Sequence, residues 1–151
     1  MHDYLRITHN RMPKLEAAGN AYFITWRLGR QGDELSEPER NVIAQTLEHF
    51  HSSRYRLLAY VVMNDHVHVV VFPLEGRSLS ELLHSWKSYT ANQINRLRGS
   101  QGSLWQKDSF TRAIRDEAEL FQKVEYVLNN PRKRWPEMEQ YQWAKLFPFE
   151  W

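Results

Sequence analysis

Two runs rich in aliphatic, β-branched and aromatic residues, Arg54 to Met63 and His66 to Phe72, are separated only by Asn64 and Asp65. A two-residue connection built from residues that tolerate the left-handed region closes an antiparallel hairpin. The two runs must therefore be neighbours in one sheet. Within the second, His66 and His68 alternate with Val67, Val69 and Val71, and successive side chains on a strand point to opposite faces. The imidazoles share one face and the valines the other. The valine stripe marks its own face as core, leaving the histidines on a shared, non-core side.

The remaining elements fall into place around this hairpin. Ala21 to Leu28 is aromatic and β-branched and runs into Gly29, as a strand does. Ser36, followed by Pro38 and Glu39, opens a helix that carries Val42, Ile43, Leu47 and Phe50 to about His51. Ser78 and Glu81 form a second capping-box signature, after which Leu79, Leu82, Leu83, Trp86, Ile94 and Leu97 recur at helical spacing as far as Gly99 to Ser103. Phe110 to Arg115 predicts a fourth strand. Asp116 to Asn130 predicts a further helix with Leu120, Val124, Val127 and Leu128 on one stripe, stopped at Asn129, Asn130 and Pro131. The tail, Arg132 to Trp151, is aromatic and irregular and is expected to pack back on the body.

The order β-α-β-β-α-β-α predicts an α+β fold: a ferredoxin-like or RRM-like split βαβ antiparallel sheet with an extra C-terminal helix and tail. One domain spans 1–151, its core about 20–130 and its tail 131–151. That architecture serves RNA-binding modules, metabolic enzymes and nucleases alike, so function must come from the site.

The 151 residues contain no cysteine, which removes disulfide scaffolds, thiolate zinc sites and cysteine nucleophiles. Any metal must sit on nitrogen and oxygen, and seven histidines are available. The formal charge of +2 hides an uneven distribution. Residues 77 to 115 carry 7 Lys/Arg against 2 Asp/Glu, a local surplus of +5, through Arg77, Lys87, Arg96, Arg98, Lys107, Arg112 and Arg115. Arg132, Lys133 and Arg134 form a second cluster. Met1 to Asn20 lacks the apolar region of a signal peptide, and the longest apolar run, Leu57 to Met63, is far short of the roughly 20 residues that cross a bilayer. A cytoplasmic protein with no membrane partner is the expectation.

A second chemical feature lies on the helix after the hairpin. Tyr89 and Gln93 are one turn apart on the same face, and the row Leu82, Trp86, Tyr89, Gln93 turns from apolar to polar along its length. Two neutral imidazoles and one amide oxygen form a neutral donor set for a divalent cation, which keeps its full charge for a bound phosphate. A tyrosine beside such a cation is placed to attack a phosphodiester. Tyr22, Tyr60 and Tyr126 compete for this role, and the expectation is that none of them has a polar metal-binding residue at the matching spacing.

The His-x-His pair after an Asn-Asp turn, followed by a helix with one Tyr and a Gln four residues on, resembles the HUH single-tyrosine transposases. Further segments resemble the branch associated with repetitive extragenic palindromes, the REP-associated tyrosine transposases. They are Arg11-Met12-Pro13, Gly19 to Thr25, Leu104-Trp105-Gln106-Lys107, Ile114 to Glu117, and Tyr126 to Pro131.

This resemblance implies an HUH endonuclease-type fold and a metal-dependent endonuclease and strand transferase. The enzyme would cleave single-stranded DNA near palindromic hairpins through a 5'-phosphotyrosine intermediate. It implies His66 and His68 as ligands of Mg2+ or Mn2+, Gln93 as third ligand and Tyr89 as nucleophile. The partner is single-stranded or hairpin DNA in the nucleoid. Tyr89 could serve its own chain's metal site or that of a second copy, so monomer and dimer both stay open. Relatives commonly carry an acidic residue where this chain has Thr111, between Phe110 and Arg112.

The basic segment would draw DNA toward Tyr89 through Lys87, Arg96, Arg98, Lys107, Arg112 and Arg115. Trp86, Trp105 and Phe110 are candidates for base stacking, and Arg132, Lys133 and Arg134 for duplex phosphates. A non-catalytic DNA-hairpin binder that retains the fold is the alternative.

Overall fold

The computed structural model describes residues 20–148. Arg11-Met12-Pro13, Gly19 and nearly all of the Met1 to Asn20 stretch lie outside the described residues, as do the last three of the tail. Strand β1 (Tyr22–Arg27) leads to helix α1 (Glu37–His49), then β2 (Tyr55–Val62), β3 (His66–Pro73), helix α2 (Leu79–Arg98), β4 (Phe110–Ala113), helix α3 (Glu117–Arg134) and β5 (Ala144–Leu146). The sheet order is β4-β1-β3-β2-β5, with all neighbours antiparallel. This is the expected split βαβ arrangement, an α+β fold extended by α3 and a fifth strand.

Local signals start and stop the elements. Ser36 accepts from the Glu39 amide while the Glu39 carboxylate accepts from the Ser36 amide, closing the capping box of α1. Ser78 caps α2 through the Glu81 amide, and α2 ends at Gly99 in the left-handed region at φ 67°. The hairpin closes with the Met63 amide donating to the His66 carbonyl at 2.8 Å.

Two boundaries differ from the sequence expectation. Helix α3 continues through Pro131 to Arg134. The ring removes one backbone hydrogen bond close to the helix end, and the turn closes beyond it with the Trp135 amide donating to the Pro131 carbonyl at 2.7 Å. The tail is also not wholly irregular: β5 pairs with β2, Ala59 opposite Leu146 and Val61 opposite Ala144. As expected it packs back, with Trp143 Nε1 donating to Asn41 Oδ1 at 2.7 Å and Phe147 entering the core.

The central strand β3 is covered on both sides. Val67, Val69 and Val71 pack with Ile24, Trp26, Leu82, Trp86 and Ile94 under α1 and α2. Val70 and Phe72, on the histidine face, pack with Phe23, Leu120, Val124 and Val127 under α3. The histidine face is therefore not open surface: α3 covers part of it, and His68 is only 3% exposed.

Aromatic polar tips bind α2 to the valine face. Trp86 Nε1 donates to Tyr55 Oη at 3.2 Å, Tyr55 Oη to the Leu47 carbonyl at 2.5 Å, and Trp105 Nε1 to Thr90 Oγ1 at 3.0 Å. Such partners matter because an unsatisfied polar atom in the core costs about 1–3 kcal/mol; the Trp26 indole N–H, in the same layer, is buried without one.

The end of α2 is fixed by charge. Arg98 donates to Glu39 Oε2 and Asp33 Oδ2, each at 2.8 Å, and to the Glu34 carbonyl at 3.0 Å. Hydrogen bonding to Arg98 holds the Asp33 carboxyl below its ordinary 3.8. Burial pushes Glu39 up, but its bonds to Arg98 and Ser36 outweigh this and hold it below 4.5.

Depressed carboxyl pKa values contribute stability that is present above the unfolded values and lost as pH falls through the folded ones. Arg98→Leu, which leaves the buried Glu39 unpaired, is expected to cost about 3 kcal/mol at pH 7. In urea unfolding the gap to wild type should narrow at pH 3; an equal gap at both pH values would contradict the ion-pair account.

Candidate active site

The site is set by the register of β3 against β1. Thr25 lies opposite His68 and Arg27 opposite His66, so all four project toward α3. The two imidazole centroids are 4.7 Å apart. Each Nδ1 has an oxygen partner: Thr25 Oγ1 is 2.6 Å from His68 Nδ1, and Asp65 Oδ1 is 2.6 Å from His66 Nδ1. Such contacts fix ring orientation. Burial holds His68 neutral, its pKa pushed down to about 3, with the neighbouring Arg27 and Lys133 cations adding to the effect.

The outer ring nitrogens are poorly satisfied by protein alone. His68 Nε2 is buried and has no hydrogen-bond partner. His66 Nε2 faces Asn130 Oδ1 at 3.3 Å. The buried, unpartnered His68 Nε2 is a lone pair that a cation would satisfy. The donor set is two imidazoles and an amide, and no group of three or more His, Cys, Asp or Glu suited to a metal occurs among the described residues. Two imidazole nitrogens and one amide oxygen are a donor set that could hold a divalent cation, with substrate oxygens completing the shell.

The tyrosine beside this pair is Tyr126. Its ring lies edge-on to His68 at 5.2 Å and is 39% exposed. Asn130 is four residues on, hence on the same face of α3. Lys123 and Lys133 complete that face, with Lys123 Nζ 4.9 Å from the Phe23 ring and Lys133 Nζ 4.1 Å from the Tyr126 ring. Arg27, Lys133 and Arg134 line a pocket of about 280 Å³ with His66 and Asn130.

Tyr89 and Gln93 stand elsewhere. Helix α2 buries Leu82, Trp86 and Ile94 against the valine face, so the whole sheet separates Tyr89 from the histidines of its own chain. Tyr89 is 53% exposed and lines a groove with Val42, Thr46, His49, Phe50 and Gln93. Within one chain, their expected place beside the histidines is corrected by the alternation of β3, which puts the imidazoles and α2 on opposite sides. Contrary to expectation, a competing tyrosine does have a polar partner at the required spacing: Asn130 stands four residues after Tyr126. The legible signal was the polar row Lys123, Tyr126, Asn130, Lys133 beside the apolar stripe Leu120, Val124, Val127.

The expected DNA contacts divide in the same way. Trp105 is buried, edge-on to Trp26 at 6.1 Å, and cannot stack on a base; Trp86 is buried as well. Arg98 is committed to Asp33 and Glu39. Lys87 Nζ is tied to the Gln106 carbonyl at 2.8 Å and to Ser109 Oγ at 2.9 Å, and desolvation lowers its pKa. Arg112 pairs with Glu119, and Arg115 lies 3.8 Å from the same carboxylate while staying largely exposed. Arg96, Lys107, Arg132, Lys133 and Arg134 are exposed. Of these, Lys133 and Arg134 adjoin the histidine pair. Thr111 lies opposite Ile24, so it points to the valine face, whereas Phe110 and Arg112 share the histidine face.

Two solved structures share this fold. A REP-associated tyrosine transposase bound to a REP hairpin superposes with a TM-score of 0.64 at 19% identity, over 84% of this chain and 76% of that one. A protein of Deinococcus radiodurans R1, described as a candidate transposase, gives a TM-score of 0.54 at 16% identity, over 72% of this chain and 92% of that one. Curated protein sequences provide no match. Among the described residues no helix is long and apolar enough to cross a membrane. The family model for IS200-like transposases matches residues 25–130, from the threonine that holds His68 to the asparagine that faces His66, and the chain belongs to that family.

Proposed function

We propose that this transposase-family chain is a metal-dependent single-strand DNA endonuclease and strand transferase in which Tyr126 is the nucleophile. The observation that carries this reading is the meeting of Tyr126 and Asn130, from one helix, with His66 and His68, from one strand. His66 Nε2, His68 Nε2 and Asn130 Oδ1 would hold Mg2+ or Mn2+. Bound there, the ion supplies Lewis-acid polarisation of the scissile phosphate.

The chain's own groups do the rest. Tyr126 Oη loses its proton and attacks phosphorus; a Tyr–O–P bond forms, the P–O3' bond breaks, and the departing 3'-oxygen takes a proton. Attack of a 3'-hydroxyl on the phosphotyrosine reverses these steps and rejoins a strand, with no nucleotide cofactor. Lys123 and Lys133 flank Tyr126 on its helix face and would hold the strand's phosphates on either side. Arg27 and Arg134 extend the positive surface beside His66. The hairpin bound by the similar solved structure supports a DNA hairpin with an unpaired flank as substrate here. All four central groups come from one chain, so the site needs no second copy.

A hairpin oligonucleotide with a single-stranded flank, incubated with Mn2+, should give a covalent protein–DNA adduct stable in SDS. Tyr126→Phe should abolish the adduct and Tyr89→Phe should leave it. The opposite result would return the nucleophile to α2 and require helix exchange between copies. Failure of every metal and substrate, with hairpin binding intact, would favour the non-catalytic binder.

Thr25→Val, which keeps shape but removes the oxygen facing His68 Nδ1, should weaken Mn2+ binding by about 10- to 100-fold in electron paramagnetic resonance titrations. Thr25→Ser should restore it. Equal affinity in Val and Ser variants would show that Thr25 does not position the ligand.

A further inference from the structure

Phe110 is a large aromatic side chain left 54% exposed on the edge strand β4. Its Cα lies opposite Thr25, whose other neighbour is His68. It therefore projects on the histidine face, two strand spacings or about 10 Å from His68. Phe23 sits between it and the tyrosine: the Phe23 ring is edge-on to Phe110 at 6.1 Å and to Tyr126 at 5.9 Å, and stacks with His68 at 5.4 Å. Phe110, Tyr126 and Tyr89 are the exposed large aromatics among the described residues. Two of these three thus flank one buried ring beside the histidine pair. Lys123 Nζ lies over that same Phe23 ring, so a cation sits one ring away from Phe110.

We propose that Phe110 is a stacking platform for an unpaired nucleobase, one belonging to a nucleotide next to the phosphate seated at Tyr126. Strand β4 thereby engages the single-stranded part of the substrate. This inference rests on the proposed role of Tyr126 for its choice of ligand. Stacking suits the position because every base has a π-face and needs no fixed hydrogen-bond pattern. Arg112, the next residue of β4 on this face, is held by Glu119, which leaves Lys123 as the cation available to the phosphate beside the stacked base. Phe110 acts in binding and touches no reacting atom.

The test compares wild type, Phe110→Ala and Phe110→Trp on two DNA stem-loops, one blunt and one with an unpaired thymidine flank carrying 2-aminopurine at successive positions. Phe110→Ala should lose about five-fold or more in affinity for the flanked stem-loop by anisotropy. Its affinity for the blunt one should not change. One flank position should be quenched by wild type and by Phe110→Trp but not by Phe110→Ala, whose thermal unfolding should match wild type because the side chain is exposed. Unchanged flank affinity and unchanged quenching in Phe110→Ala would overturn the platform. Adduct formation separates the two inferences. A wild type that binds and quenches the flank but never forms an adduct removes the chemistry at Tyr126 and keeps the platform, whereas one that binds neither stem-loop overturns both.

Discussion

The strict alternation of β3 is the constraint on which the molecule depends. A strand covered on both faces sorts its side chains with no intermediate setting, and a shift of one residue would exchange the two sets. Here that sorting sends Val67, Val69 and Val71 to the layer under α1 and α2, and His66 and His68 to the layer under α3. Everything polar that the site uses must come from the α3 side. The valine side is a packed interior closed by Tyr55, Trp86, Thr90 and Trp105, whose polar tips satisfy one another and the backbone.

Much of the frame was legible in the sequence because it rests on local rules. The hairpin at Asn64-Asp65, the Ser36 and Ser78 caps, and the Gly99 stop are each decided by a few neighbouring residues. The histidine pair was legible for the same reason. The identity of its partners was not, since that depends on which helix covers which face. Tyr89 and Gln93 satisfied a one-turn spacing as well as Tyr126 and Asn130 do, and spacing says nothing about the side of the sheet. The apolar stripe of α2 was the better guide: Leu82, Trp86 and Ile94 had to meet the valine face, which carried Tyr89 away from the histidines.

Charge was misleading in a related way. The basic surplus of residues 77 to 115 looked like one surface, but folding spends several of its members on internal work. Arg98 anchors the end of α2 to Asp33 and Glu39, Lys87 ties down the approach to β4, and Arg112 joins Glu119. The cations on the histidine side come from two places in the chain, Arg27 on β1 and the α3 residues Lys123, Lys133 and Arg134. Only the α3 row could be read from spacing, and Arg27 joins it through the fold. Tertiary structure assembles a basic surface from scattered residues while a sequence cluster is dispersed.

Helix α3 carries both Tyr126 and Asn130, while the sheet carries both imidazoles. The site is consequently a joint between two rigid bodies, and its geometry has few independent variables. A slip of α3 by one residue would turn its side chains by about 100° and carry tyrosine and amide away together. The apolar contacts of Leu120, Val124 and Val127 are thus the gauge that sets the proposed nucleophile and the proposed metal ligand at once. A conservative change in that stripe, far from any polar atom, would detune both in step.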